Sequence, residues 1–190
     1  MDFVQLHPSA WTASDFLSVA QCGRLIALAE SAGFDKAGVR VGSGQQSMPN
    51  VRNNERVMLD APDWLALVWS RLSMLALPTV GNKAPAGLPR LLRFYKYGPG
   101  ERFKMHKDGP WTEGGLSSQL TLLVYLNDGV SGGATKFKDF TVEPKAGMAL
   151  LFLHDTWHEG AAVEKGVKYV LRSDVLYGAG STASATHDFT

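Results

Sequence analysis

Residues 91–108 read LLRFYKYGPGERFKMHKD. Leu91 to Tyr97 alternate in character, as a half-buried β-strand does, and the run stops at the turn sequence GPGE. Downstream, residues 118–126 (SQLTLLVYL) are β-rich and stop at the turn cluster NDGVSGG, 127–133. ATKFKDF (134–140) is short and mixed, and MALLFL (148–153) is a continuous apolar run, as a buried strand would be. VKYVLRSDVLY (167–177) alternates again. Short strands at this spacing predict a sandwich, barrel or jelly roll over about 90–177.

Upstream the texture is helical. TASDFLSVAQCGRLIALAESAGF (12–34) carries Leu17, Leu25, Ile26, Leu28 and Ala29 at helical intervals. Thr12 or Ser14 is the candidate cap, Thr12 and Asp15 have capping-box spacing, and Gly33 is a natural stop. A polar loop, 35–54, leads to a second helix within APDWLALVWSRLSMLAL (61–77), where Pro62 suits the first turn and Pro78 ends it. Leu65, Val68, Trp69, Leu72 and Leu75 mark its apolar face. The fold class expected is α+β, mainly β, with helical support over about 12–78 packed against one sheet. The chain, 1–190, reads as a single domain with a flexible tail over 178–190.

Bulk properties narrow the function classes. A formal net charge of +1 gives no electrostatic reason to expect nucleic acid or a membrane surface as partner. No apolar run reaches the ~18 residues of a membrane span. No signal peptide is evident at the N-terminus. The single cysteine, Cys22, excludes an internal disulfide and reads as a buried small hydrophobe. A cytoplasmic protein is the expectation.

His106 and Asp108 flank one residue in FKMHKD. On an extended strand such a pair points to one side and aims an imidazole and a carboxylate at a common point. These are two of the three ligands of the 2-His-1-carboxylate triad of non-haem Fe(II) oxygenases, although an isolated H-x-D more often marks a surface turn. FLHDTWHEGAAV (152–163) offers His154 and His158 as a third ligand, while His7 and His187 read as solvated terminal histidines. The last strand carries Lys168 and Arg172 on one side, about 13 Å apart at ~3.3 Å per residue. They read either as cations buried for a ligand or as solvated charges on an edge strand, with Asp174 as an ion-pair partner for Arg172.

Taken together, these segments resemble the prolyl 4-hydroxylase-like branch of the 2-oxoglutarate/Fe(II)-dependent dioxygenases. RFYKYGPGERFKMHKD matches the pattern of an aromatic, a glycine-containing turn, an aromatic and H-x-D. LTLLVYLNDGVSGGATKF (120–137) and VEPKAGMALLFLHDTWHEGAAVEKGVKYVLRSDVLY (142–177) follow in the family's order and spacing. The resemblance implies a double-stranded β-helix (jelly-roll, cupin-like) core. It implies Fe(II) on His106, Asp108 and His158, with His154 displaced to a supporting role. It implies 2-oxoglutarate and O2 as cosubstrates, and Lys168 as the grip on the far carboxylate of 2-oxoglutarate. Arg172 could share that grip. Tyr97 reads either as a hydrogen-bond donor to the same carboxylate or as a core aromatic. Gly132, Gly133 and Thr135 read as parts of a tight turn.

The implied chemistry is hydroxylation with release of succinate and CO2, of a protein or peptide side chain, proline by analogy. A small molecule such as a free amino acid is the alternative substrate. A zinc hydrolase on the same ligands and a non-enzymatic metal-binding barrel are the competing classes. For substrate contact the candidates are Arg52, Asn53 or Asn54 in the polar loop SMPNVRNNER, and Trp111, a lid candidate in the loop DGPWTEGG.

Overall fold

The computed structural model describes residues 1–41, 44–46, 48 and 50–179. Gly178 and Ala179 finish the last strand rather than begin a tail. The rest of the expected tail, His187 included, lies outside the described residues.

Among the described residues ten strands form one large sheet. Its main path runs Phe3–His7, Ala10–Ala13, Ala149–Leu153, Leu116–Tyr125, Lys168–Ala179, Leu91–Tyr97, Glu55–Asp60 and Asp35–Lys36, every pairing antiparallel. A four-stranded sheet packs on it, in the order Thr141–Val142, Thr135–Phe137, His158–Gly160, Phe103–His106. The two layers make the double-stranded β-helix. The strand Lys168–Ala179 is central, paired with Leu116–Tyr125 on one side and Leu91–Tyr97 on the other. The edge-strand reading of its charges is thereby excluded.

Alternation along these strands divides the interior in two. Leu92, Phe94, Leu120, Leu122, Val124, Leu171 and Val175 face the helices. Tyr95, Tyr97, Tyr125, Leu150, Phe152 and Val170 face the smaller sheet and meet Phe137 and Val142. The period of two thus places Lys168, Val170, Arg172 and Asp174 in the space between the sheets.

Both helices cover the outer face of the large sheet. Val19–Ala32 buries Cys22, Leu25 and Ala29, and Pro62–Leu72 buries Val68 and Leu72. Pro62 sits in the first turn as expected, and Gly33 ends the first helix at φ 83°. The predicted N-terminal cap was misplaced. Thr12 belongs to the strand Ala10–Ala13, where it pairs with Leu150, and the helix begins after Ser18. There the Ser18 side chain accepts from Gln21 N at 3.2 Å, and Gln21 Oε1 accepts from Ser18 N at 2.9 Å. The second helix stops at Leu72, well short of Pro78. The loop over 35–54 contains the short strands Asp35–Lys36, Val39–Val41 and Gly44–Gln46. No helix of the described residues is long and apolar enough to cross a membrane.

Candidate metal centre and active site

His106 and His158 are direct Cα partners on adjacent antiparallel strands of the smaller sheet. The strand ends at His106, so Asp108 reaches the cluster from the following loop, its N–H donating to the His154 carbonyl at 3.1 Å. One ligand atom from each of His106, Asp108 and His158 lies within 4.8 Å of the others. Each imidazole Nε2 is 3.6 Å from an Asp108 oxygen. The other ring nitrogens are occupied: His106 Nδ1 is 2.7 Å from the Lys104 carbonyl, and His158 Nδ1 is 3.0 Å from the Thr156 carbonyl. A carbonyl can only accept, so both rings carry a proton on Nδ1 and turn Nε2 toward Asp108. Burial pushes the His158 imidazole down to about 4 against the opposing pull of Asp108, so it is neutral, as a metal ligand must be. Two imidazoles and a carboxylate, without thiolate, suit Fe(II).

A chain of hydrogen bonds fixes the Asp108 carboxylate. Thr121 Oγ1 donates to Asp108 Oδ2 at 2.6 Å and is 3.0 Å from His154 Nδ1. His154 Nε2 is 2.7 Å from Ser118 Oγ, which accepts from the Trp111 backbone N–H at 2.8 Å. Because Thr121 gives its proton to Asp108, it accepts from a protonated His154 Nδ1; burial lowers the His154 pKa and so favours the neutral ring, with Nε2 accepting from Ser118. His154 is thus in a supporting place, not in the cluster. Arg172 Nη2 lies 2.9 Å from Asp108 Oδ1. Burial by itself would raise the Asp108 carboxyl, but Arg172 and the two imidazoles hold it well below the usual carboxylate range.

Behind the cluster is a cavity of about 40 Å3 lined by His106, Asp108, His158, Tyr97, Thr135 and Lys168, among others. Lys168 is only 3% exposed. Its Nζ donates to the Gly133 carbonyl and lies 5.3 and 5.4 Å from the ring centroids of Tyr97 and Tyr125. Among the described residues it forms no ion pair. Burial pushes the ammonium down to about 8, opposed by Glu143. Gly133 does more than turn the chain: at φ 73° a Cβ would come within 3.2 Å of Lys168 Cδ. Tyr97 is the Cα partner of Lys168, and burial raises its phenol to about 12. Arg172 lines the same cavity but is already engaged, bonded to Asp108, 3.5 Å from Asp174 and 3.1 Å from the Tyr95 hydroxyl.

In front of the cluster a cavity of about 560 Å3 is lined by Arg52, Arg56, Arg93, Arg172 and Trp111, with His106 and Asp108 at its base. The Arg52 guanidinium stacks 4.4 Å from the Tyr95 ring centroid and 4.6 Å from that of Phe103. Asn54 holds it, accepting from Arg52 Nε at 2.7 Å. Trp111 is half-buried, with Nε1 donating to Glu113 and Arg93 5.4 Å over its ring. Asn53 lines neither cavity and instead accepts from Arg102 N at 2.8 Å, bracing the turn before Phe103. Burial would raise the Tyr95 phenol, but Arg172, Arg52 and Arg93 together bring it down to about 7, a measure of the positive potential here. His7 is not solvated as expected but stacks on Phe140 at 5.1 Å.

Sequence reasoning missed Thr121, Ser118, Tyr95, Arg56 and Arg93. The register signal was present: two residues apart on their strands, Tyr95 and Arg93 share the face of Tyr97, just as Arg172 shares that of Lys168.

The family model of the 2OG-Fe(II) oxygenase superfamily matches residues 92–173, which include all three cluster residues and Lys168. No curated protein sequence matches the chain. Among solved structures, a viral collagen prolyl hydroxylase from Paramecium bursaria Chlorella virus-1 in complex with 2OG is 19% identical, with TM-score 0.67, over 88% of this chain and 95% of that one. A Pseudomonas putida prolyl-4-hydroxylase is 17% identical, with TM-score 0.62, over 88% and 92%. A Trichoplax adhaerens prolyl hydroxylase, in complex with a hypoxia inducible factor oxygen degradation domain peptide, is 18% identical, with TM-score 0.67, over 88% and 83%. At these identities the likeness is one of fold. The family match spans the His-Asp-His cluster and Lys168, so residues 92–173 carry the pattern of a 2OG-Fe(II) oxygenase domain, a dioxygenase type that uses Fe(II), 2-oxoglutarate and O2.

Proposed function

We propose that this chain is a prolyl 4-hydroxylase-like hydroxylase of a protein or peptide side chain, holding Fe(II) on His106, Asp108 and His158. When bound, the iron with 2-oxoglutarate and O2 supplies an oxidation that yields succinate, CO2 and hydroxylated substrate. The protein supplies geometry and charge. His106 and His158 present Nε2 because backbone carbonyls hold their Nδ1 protons. Arg172 and Thr121 keep Asp108 ionised and oriented. Lys168, with Tyr97 beside it, meets the far carboxylate of 2-oxoglutarate. Seating the diacid in so small a cavity requires side chains to part, and the contact that Lys168 exchanges is its hydrogen bond to Gly133.

The observation that carries this reading is Lys168: an ammonium buried with no ion pair among the described residues, in the same cavity as a three-ligand cluster. Burying a cation is costly unless something anionic meets it. A zinc hydrolase on these ligands has no use for that ammonium. Arg172 is committed to Asp108 and Asp174, which favours Lys168 as the grip. The likeness of fold to prolyl hydroxylases, one of them in complex with a peptide, supports a peptide substrate. The test is succinate release from 2-oxoglutarate across a panel of peptides and free amino acids. Stimulation by proline-containing peptides supports the reading; stimulation by free amino acids alone overturns its peptide part.

A further inference from the structure

The larger cavity is the part of the molecule that the iron and 2-oxoglutarate chemistry leaves unexplained. Four arginines line it, Arg52, Arg56, Arg93 and Arg172, against two carboxylates, Asp108 and Asp174. The two carboxylates are taken. Asp174 is bonded to Arg93 and lies 3.5 Å from Arg172, and Asp108 is held by Arg172 at 2.9 Å. A bound divalent metal would engage Asp108 further and add positive charge of its own.

Among the described residues Arg52 has no such partner. It is 5% exposed, forms no ion pair among the described residues, and its Nη2 is buried with no hydrogen-bond partner. Its position is nonetheless fixed, because Tyr95 and Phe103 sandwich the guanidinium and Asn54 takes its Nε proton. A rigid, desolvated guanidinium with a free N–H is a preformed site for a carboxylate, the planar group its fork matches. Packing alone does not explain it, since an apolar side chain could fill the aromatic slot without burying a charge.

Its place sets what it would contact. Phe103, under Arg52, itself stacks on His106 with ring centroids 3.6 Å apart. Arg52 therefore stands two stacking steps from a metal-cluster imidazole, on the wall of the cavity through which substrate reaches the cluster. At ~3.3 Å per extended residue, a peptide carboxylate on Arg52 belongs within about two residues of the residue presented to the metal.

We propose that the larger cavity seats a substrate carboxylate on Arg52, and that the preferred substrate is therefore an acidic peptide segment, with Asp or Glu flanking the residue to be hydroxylated. This rests on the hydroxylase reading and names its substrate class. The charge on the Arg52 wall selects for acid and against basic sequences, and binding weakens as salt rises.

The experiment uses the protein loaded with Fe(II) and 2-oxoglutarate under anaerobic conditions. Three pools of proline-centred peptides, capped at both ends, differ only in the flanking residues: Asp and Glu, Asn and Gln, or Lys and Arg. Binding is read by calorimetry, and succinate release is measured separately in air. The acidic pool binds about ten-fold or more tighter than the amide pool, as expected for a charged partner of a buried guanidinium. Arg52→Gln removes that preference, and the acid-to-amide ratio of the wild type decides the matter if the variant does not fold. Equal binding of acidic and amide pools, preference for the basic pool, or binding of none overturns the proposal. Equal stimulation of succinate release by all pools overturns it too, while leaving the hydroxylase reading intact. Tight binding of the acidic pool without succinate release has the opposite meaning: the anion site stands and the hydroxylase reading falls.

Discussion

Replacing Lys168 with methionine separates function from stability. Burial lowers the ammonium from 10.5 to about 8, so folding disfavours its charged form by about 3 kcal/mol. Methionine removes that penalty and fills a similar volume. It also strips the Gly133 carbonyl of its donor, at a cost of about 1–3 kcal/mol. Lys168→Met is therefore expected to be as stable as the wild type or more stable, by up to about 2 kcal/mol, measured by urea unfolding. Affinity for 2-oxoglutarate moves the other way. Deleting one partner of a buried charge pair costs about 2–5 kcal/mol, hence a loss of ~30-fold or more. The same group sets a pH dependence. Its pKa is lower folded than unfolded, so between about pH 8 and 10.5 the unfolded chain holds the extra proton, and the wild type gains stability as pH rises through that window. Over the same window an ammonium that must be charged to hold a carboxylate is lost, and the apparent Km for 2-oxoglutarate rises. Both trends vanish in Lys168→Met. A variant that is strongly destabilised yet binds 2-oxoglutarate normally would refute the reasoning.

Three further perturbations test the supporting structure. Asp108→Ala abolishes turnover and also lowers stability by about 1–3 kcal/mol in the metal-free protein, because the buried Arg172 loses its closer carboxylate and keeps only Asp174 at 3.5 Å; thermal unfolding checks this. Thr121→Val cuts the hydroxyl bridge from His154 to Asp108 and weakens Fe(II) binding about 10–100-fold in a competition titration, with the fold retained by circular dichroism. Ser18→Ala removes the cap of the first helix and costs about 1 kcal/mol in urea unfolding, whereas Thr12→Ala leaves helix capping untouched.

How far the sequence foretold the molecule depended on the range of each signal. The longer strands, Leu91–Tyr97, Leu116–Tyr125, Ala149–Leu153 and Lys168–Ala179, carried their own alternation or apolar runs and were legible. The strand Ala10–Ala13 was not, since four residues hold too little pattern, and only pairing with Ala149–Leu153 makes them a strand. That pairing also moved the helix cap from Thr12 to Ser18. Of the candidate site, the grouping of the H-x-D pair with His158, and Lys168 in the cavity beside them, were legible through the order and spacing of motifs. The Ser118–His154–Thr121 chain was invisible, because its members lie as much as 36 residues apart and are ordinary strand residues singly. Arg52 was found as a substrate candidate for its loop position, but its burial between Tyr95 and Phe103 is a tertiary fact that a polar loop sequence conceals.

The central claim, one Fe(II) on His106, Asp108 and His158 with 2-oxoglutarate reaching back to Lys168, has a direct optical test. Fe(II) and 2-oxoglutarate are added anaerobically to the wild type, to His158→Ala and to Lys168→Met, and the weak visible charge-transfer band of the chelate is recorded. A band in the wild type, lost in His158→Ala and appearing in Lys168→Met only at far higher 2-oxoglutarate, is the predicted result. No band in the wild type, or an undiminished band in Lys168→Met at the same 2-oxoglutarate concentration, contradicts it.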